Sequence, residues 1–132
     1  MALNVLIVDD SMVMRAMILK TIRMSGVVLG KVKQAANGLE GLDALRDEWI
    51  DLVFLDINMP VMGGEEMILR MKENELTRDI PVVVVSTEGS STRIEKVEAL
   101  GARFIHKPFS PETIRDVIME VTGSEVPHEG GL

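Results

Sequence analysis

Short apolar runs alternate along this chain with stretches whose apolar residues return every three or four positions. Leu3 to Val8 is a mostly apolar, β-prone run and reads as a strand. Over residues 12–25, Val13, Met14, Met17, Ile18, Thr21 and Ile22 recur at helical spacing, with Ser11 placed to cap the helix and Gly26 to end it. Val28 to Ala36 is a weaker strand, followed by the turn pair Asn37-Gly38. Leu39, Leu42, Ala44 and Leu45 make a second helical stripe reaching Glu48. Asp51 to Leu55 is a third strand, Asn58-Met59-Pro60 and Gly63-Gly64 mark a loop, and Glu65 to Glu73 is helical with Met67, Ile68 and Met71 as its stripe. Pro81 to Val85 is the most β-prone piece of the chain. Ser91 to Leu100 predicts a fourth helix, Arg103 to His106 a fifth strand and Thr113 to Val121 a last helix. Residues 1–122 are thus expected to form one domain, and 123–132 a flexible tail.

The order is βαβαβαβαβα. Apolar strands alternating with helices predict an α/β fold, a doubly wound five-stranded parallel sheet with helices on both faces. In such sheets ligands bind beyond the carboxyl ends of the strands, at the point where the strand order reverses. Composition removes several function classes. The chain has no cysteine, which excludes disulfides, thiol nucleophiles and cysteine metal sites. A net charge of −7 argues against non-specific nucleic-acid binding. The first residues, MALNVLIV, lack the basic segment of a signal peptide, and no apolar run approaches a membrane span.

The chemistry gathers at the strand ends. Asp9 and Asp10 end the first strand, Asp56 the third, Ser86 and Thr87 the fourth, and Lys107 the fifth. Taken singly, each is an ordinary cap or turn residue. Taken together, the apolar strands aim all of them at one rim. Two carboxylates ~4 Å apart repel by about 4 kcal/mol at an effective dielectric near 20. Such a cluster must take up protons or bind a cation. With only oxygen ligands available, the cation expected is a hard divalent ion, Mg²⁺. Phosphoryl oxygens and water would complete its shell, with Lys107 and Ser86 to meet the phosphoryl group and a carboxylate as nucleophile.

These residues resemble the receiver domain of bacterial two-component response regulators, in the compact chemotaxis-type form. The matching stretches are VLIVDDS, LVFLDINMP followed by MGG, PVVVVS and FIHKPF, spread through residues 3–122. The resemblance implies the flavodoxin-like strand order 2-1-3-4-5. It implies Asp56 as phospho-acceptor, and Asp10, Asp56 and the Asn58 carbonyl as Mg²⁺ ligands, with Asp9 acting mainly through water. It implies Lys107 as the cation on the phosphoryl group, with a cis bond to Pro108, and Ser86 and Phe104 as the switch pair. Asn58, Thr87 and Glu88 fall where the family tunes dephosphorylation. Thr87 stands where Ala or Gly is usual and is expected to crowd the phosphoryl group. Phe104, often Tyr in the family, would switch by packing alone.

By the same resemblance the chain is a cytoplasmic signalling switch rather than a metabolic enzyme, although it catalyses its own phosphorylation and dephosphorylation. A histidine kinase would be the phosphodonor. The phosphorylated state would reshape the surface of helix four, strand five and helix five to bind a protein target. A flagellar switch component or a separate output protein is expected, with neither nucleic acid nor membrane as partner. Alternatives of the same fold are a phosphate sink and a phosphorylation-independent docking module. An aspartate-nucleophile phosphatase of the haloacid dehalogenase type fits less well, because it wants Asp-x-Asp after the first strand. A P-loop is absent.

Other features read as structural. Met12, Met14, Met17 and Met24 have the helical spacing of core residues. Arg93, Lys96, Arg103, His106 and Lys107 form either a face for an acidic peptide or a solvated surface. His106 and His128 are too few for a metal site, and Trp49 is expected at a helix–strand junction.

Overall fold

The computed structural model describes residues 2–123, so the tail expected at 123–132, with His128, lies outside the described residues from 124 onward. The element order is β1 (Leu3–Val8), α1 (Met12–Met24), β2 (Leu29–Ala35), α2 (Gly38–Asp47), β3 (Leu52–Leu55), α3 (Gly64–Lys72), β4 (Val82–Ser86), α4 (Ser91–Ala99), β5 (Arg103–His106) and α5 (Pro111–Thr122). The strands form one parallel sheet in the order β2-β1-β3-β4-β5, as the resemblance implied.

Successive strand residues point to opposite faces, and here both faces are covered. Val5, Ile7, Phe54, Val83 and Val85 pack with Ile18 and Ile22 of α1 and with Ile114 and Ile118 of α5. Leu6, Val8, Val53, Leu55 and Val84 pack under α2, α3 and α4, against Leu42, Met67, Ile68, Met71 and Val97. A charged side chain in the middle of β1, β3 or β4 would be buried without a partner on either face. The charged groups of these strands therefore stand at their ends, which is where the candidate chemistry lies.

Local capping sets where the helices start. Ser11, Asn37, Ser90 and Ser110 each accept a hydrogen bond from the backbone N–H three residues on. The Ser110 cap with Pro111 behind it starts α5 two residues before the expected Thr113. Gly64 opens α3 because its amide donates to the Ile57 carbonyl at 2.8 Å.

The methionines of α1 depart from expectation. Met12, Met17 and Met24 are exposed, as is Val13, and only Met14 packs against the core. Ile18 and Ile22, four apart, already fill the narrow stripe that one helix presents to a sheet. The first turn of α1 follows directly on the carboxyl end of β1, so Met12 and Val13 lie beside the rim rather than over the sheet. Trp49 sits between α2 and β3 as expected, largely exposed, its indole N–H donating to Asp51 at 3.0 Å.

Candidate functional site

Register brings the acids level. Val8 pairs with Leu55, so the next residues, Asp9 and Asp56, emerge side by side from β1 and β3. One carboxylate oxygen from each of Asp9, Asp10 and Asp56 can be chosen so that all lie within 4.8 Å of one another. Ser86 pairs with His106, and the Lys107 amide donates to the Ser86 carbonyl at 3.0 Å. From there the Lys107 ammonium reaches back to Asp9 Oδ2 at 3.6 Å. The Lys107–Pro108 bond is cis.

Asp9 carries the electrostatic tension of the site. Its side chain is buried, and Oδ1 accepts from the Ser11 N–H at 2.9 Å. Oδ2 is the buried side-chain oxygen without a hydrogen-bond partner among the described residues, and Lys107 is an ion pair at longer range. Burial, the largest cause, and repulsion from Asp56 and Asp10 push the Asp9 carboxyl above its ordinary range, against the pull of the Ser11 amide and Lys107. An orphaned buried oxygen beside two more carboxylates suits a hard divalent cation, which would neutralise the repulsion and supply the missing partner.

The loop after β3 is tightly held. Asp56 Oδ1 accepts from the Ile57 amide at 2.8 Å. A Cβ at Gly64 would come within 2.4 Å of the Asp56 carbonyl oxygen, so only glycine lets α3 start this close to the acid. Across the rim Ser86 is buried, its Oγ accepting from the Glu88 amide at 3.1 Å. Thr87, between them, is exposed. Phe104 is half-buried, its ring edge-on to His106 at a centroid distance of 4.7 Å.

The structure thus brings Asp9, Asp10, Asp56 and Lys107 together directly, and ties Ser86 to them through Lys107. Asn58 and Glu88 meet through a residue that sequence reasoning did not place in the site. Arg93 Nη1 donates to Glu88 Oε1 at 2.7 Å and to Asn58 Oδ1 at 2.9 Å. The same guanidinium pairs with Glu65 at 2.8 Å, and Lys96 holds the other oxygen of Glu65 at 3.2 Å. The Arg93 hydrogen bond, first, together with Lys96, holds the Glu65 carboxyl below its ordinary range. The expected basic face is therefore largely neutralised within the chain, since Arg103 also pairs with Glu120. The only signal in the sequence was opposite charge at the starts of two helices, 28 residues apart.

A family model described as the response regulator receiver domain matches residues 5–119. A chemotaxis protein CheY homolog of Campylobacter jejuni is 32% identical over 126 residues, spanning 92% of this chain and 94% of that protein. Sporulation initiation phosphotransferase F of Bacillus subtilis is 36% identical over 116 residues, spanning 87% and 90% respectively. The solved structure of chemotaxis protein CheY4 of Vibrio cholerae superposes with a TM-score of 0.79 at 32% identity, covering 92% of this chain and 99% of that one. Among the described residues, no helix is long and apolar enough to cross a membrane.

Proposed function

Because the chain belongs to the response regulator receiver family, we propose that it is a switch whose Asp56 accepts a phosphoryl group from a histidine kinase in a Mg²⁺-dependent reaction. The observation that carries this reading is the three-carboxylate cluster beside Lys107, with the Asp9 oxygen left unpartnered. Asp10, Asp56 and the Asn58 carbonyl would hold the cation, with Asp9 behind them. Once bound, the cation supplies positive charge against the carboxylates and the phosphoryl oxygens.

The chain's own groups do the rest. An Asp56 oxygen attacks phosphorus, and the bond from phosphorus to the donor imidazole nitrogen breaks, its electron pair leaving with the imidazole. Lys107 faces the charge spread over the phosphoryl oxygens. The Ser86 hydroxyl is free to donate to one of them, since its present hydrogen bond is one it accepts. Its movement would open room for Phe104 to turn inward and shift the population of the α4–β5–α5 surface. The chemotaxis names of the relatives support a motility target such as a flagellar switch component.

Intact mass after incubation with Mg²⁺ and acetyl phosphate tests the reading. A single phosphoryl adduct is expected on the wild type, absent without Mg²⁺ and absent in Asp56→Asn. No adduct, under conditions that label another receiver, would overturn it and favour a phosphorylation-independent docking module.

A further inference from the structure

We propose that Arg93 is a positioning residue that keeps the Glu88 carboxylate out of the hydrolysis of phosphorylated Asp56, and so lengthens the life of the phosphoryl group. The inference rests on the acceptor reading of Asp56 given above. Arg93 lies in the first turn of α4, and its guanidinium spans the gap between the loops that follow β3 and β4. Nη1 alone contacts Glu88 and Asn58, while Nε and Nη2 both donate to Glu65 Oε1, at 3.2 and 2.8 Å. The planar fork of arginine directs donors to three acceptors on three segments at once, which a lysine point charge does not do.

Both oxygens of Glu88 are engaged. Oε1 is on Arg93 at 2.7 Å and Oε2 accepts from the Ser90 amide at 3.1 Å. Yet Glu88 stands next to the site, because its own amide donates to Ser86 Oγ. Asn58, on the same guanidinium nitrogen, is two residues past Asp56. A carboxylate held by a cation on one oxygen and an amide on the other is a poor proton acceptor. Released, it would be a general base on the residue whose amide holds the hydroxyl that would face the phosphoryl group. In that step a water oxygen attacks phosphorus and the phosphorus–oxygen bond to Asp56 breaks, its electron pair returning to the Asp56 carboxylate. A proton of the water passes to Glu88 and then to solvent, leaving inorganic phosphate.

The test is a cycle of wild type, Arg93→Ala, Glu88→Gln and the double variant. Each is labelled with acetyl phosphate and Mg²⁺, freed of donor, and followed by intact mass as the adduct decays. Arg93→Ala is expected to decay about tenfold faster than wild type, short of the roughly hundredfold that a fully placed general base supplies. In the Glu88→Gln background that acceleration should vanish. Decay at the wild-type rate in Arg93→Ala would overturn the inference. So would an acceleration that persists with Glu88→Gln, because a merely loosened helix would admit water whichever side chain stood there. Arg93→Lys keeps a charge beside Glu65 without the fork, and should decay at an intermediate rate; it keeps the test usable if the alanine chain unfolds. Absence of any adduct on the wild type would overturn the acceptor reading and this inference with it, whereas an adduct indifferent to Arg93 overturns this inference alone.

Discussion

Replacing Asp9 by asparagine should stabilise the metal-free protein and abolish its stabilisation by magnesium. The ligand oxygens of Asp9, Asp10 and Asp56 lie within 4.8 Å of one another, so Asp9 and Asp56 repel by at least about 3.5 kcal/mol at an effective dielectric near 20. Lys107, 3.6 Å from Asp9, returns about 4.6 kcal/mol on the same scale. Asp10 is exposed and screened, so its share is smaller. What remains is burial, the largest influence on Asp9, and its balance with the neighbouring charges disfavours the ionised form. Asparagine keeps the oxygen that accepts from Ser11 and replaces the unpartnered Oδ2 with a donor that can face Asp56. The expected gain is about 1–2 kcal/mol, the scale of relieving one unsatisfied buried group.

Urea unfolding at pH 7 in EDTA would read this as a higher midpoint with an unchanged slope. The pH dependence carries a sign. Folded Asp9 binds its proton more tightly than the unfolded chain, whose ordinary value is 3.8. Wild-type stability therefore falls as pH rises through the folded value, and the advantage of the asparagine is complete above it and gone below 3.8. Magnesium at ten times its dissociation constant should then stabilise the wild type by about 1.4 kcal/mol, and the variant by almost nothing. An Asp9→Asn chain less stable than wild type in EDTA would mean that Lys107 outweighs burial and repulsion. Equal stabilisation of both chains by magnesium would mean that Asp9 is no part of the cation site.

Three further substitutions probe the scaffold. Gly64→Ala would press a Cβ against backbone atoms of Asp56 and Ile57; we expect a loss of about 1–3 kcal/mol in urea unfolding and slower labelling of Asp56 by acetyl phosphate, and wild-type values for both would refute the close-approach account. On α1, Ile18→Ala should cost about 2–5 kcal/mol whereas Met17→Gln stays within about 0.5 kcal/mol; similar thermal shifts for the two would show that the exposed methionines contribute to the core after all.

The element order and the gathering of Asp9, Asp10, Asp56 and Lys107 were legible because one physical rule produces both. A sheet covered on both faces needs apolar strands, and apolar strands send their charges to the ends. The strand order was not legible from periodicity, since any parallel arrangement buries the same residues; it came from resemblance. The methionines of α1 misled because helical spacing reports a face without saying how wide it is, and Ile18 with Ile22 sufficed. Arg93 was hidden for a different reason. Its partners lie 28 residues away at Glu65, 35 at Asn58 and 5 at Glu88, and no local pattern links them.

That hidden contact bears on how a change at the rim would travel. The Ser86 hydroxyl accepts from the Glu88 amide, and the Glu88 carboxylate holds a side chain of α4. If Ser86 turns toward a phosphoryl group, the Glu88 amide loses its acceptor and its loop is free to shift. Arg93 must then follow Glu88 or stay with Glu65 on α3, because one guanidinium cannot track two segments that separate. Following Glu88 moves α4 relative to α3, and staying with Glu65 leaves the Glu88 carboxylate without its cation. Helix α4 is thus linked to the Ser86 hydroxyl through Glu88 and Arg93, a connection that needs no rearrangement of the sheet beneath it.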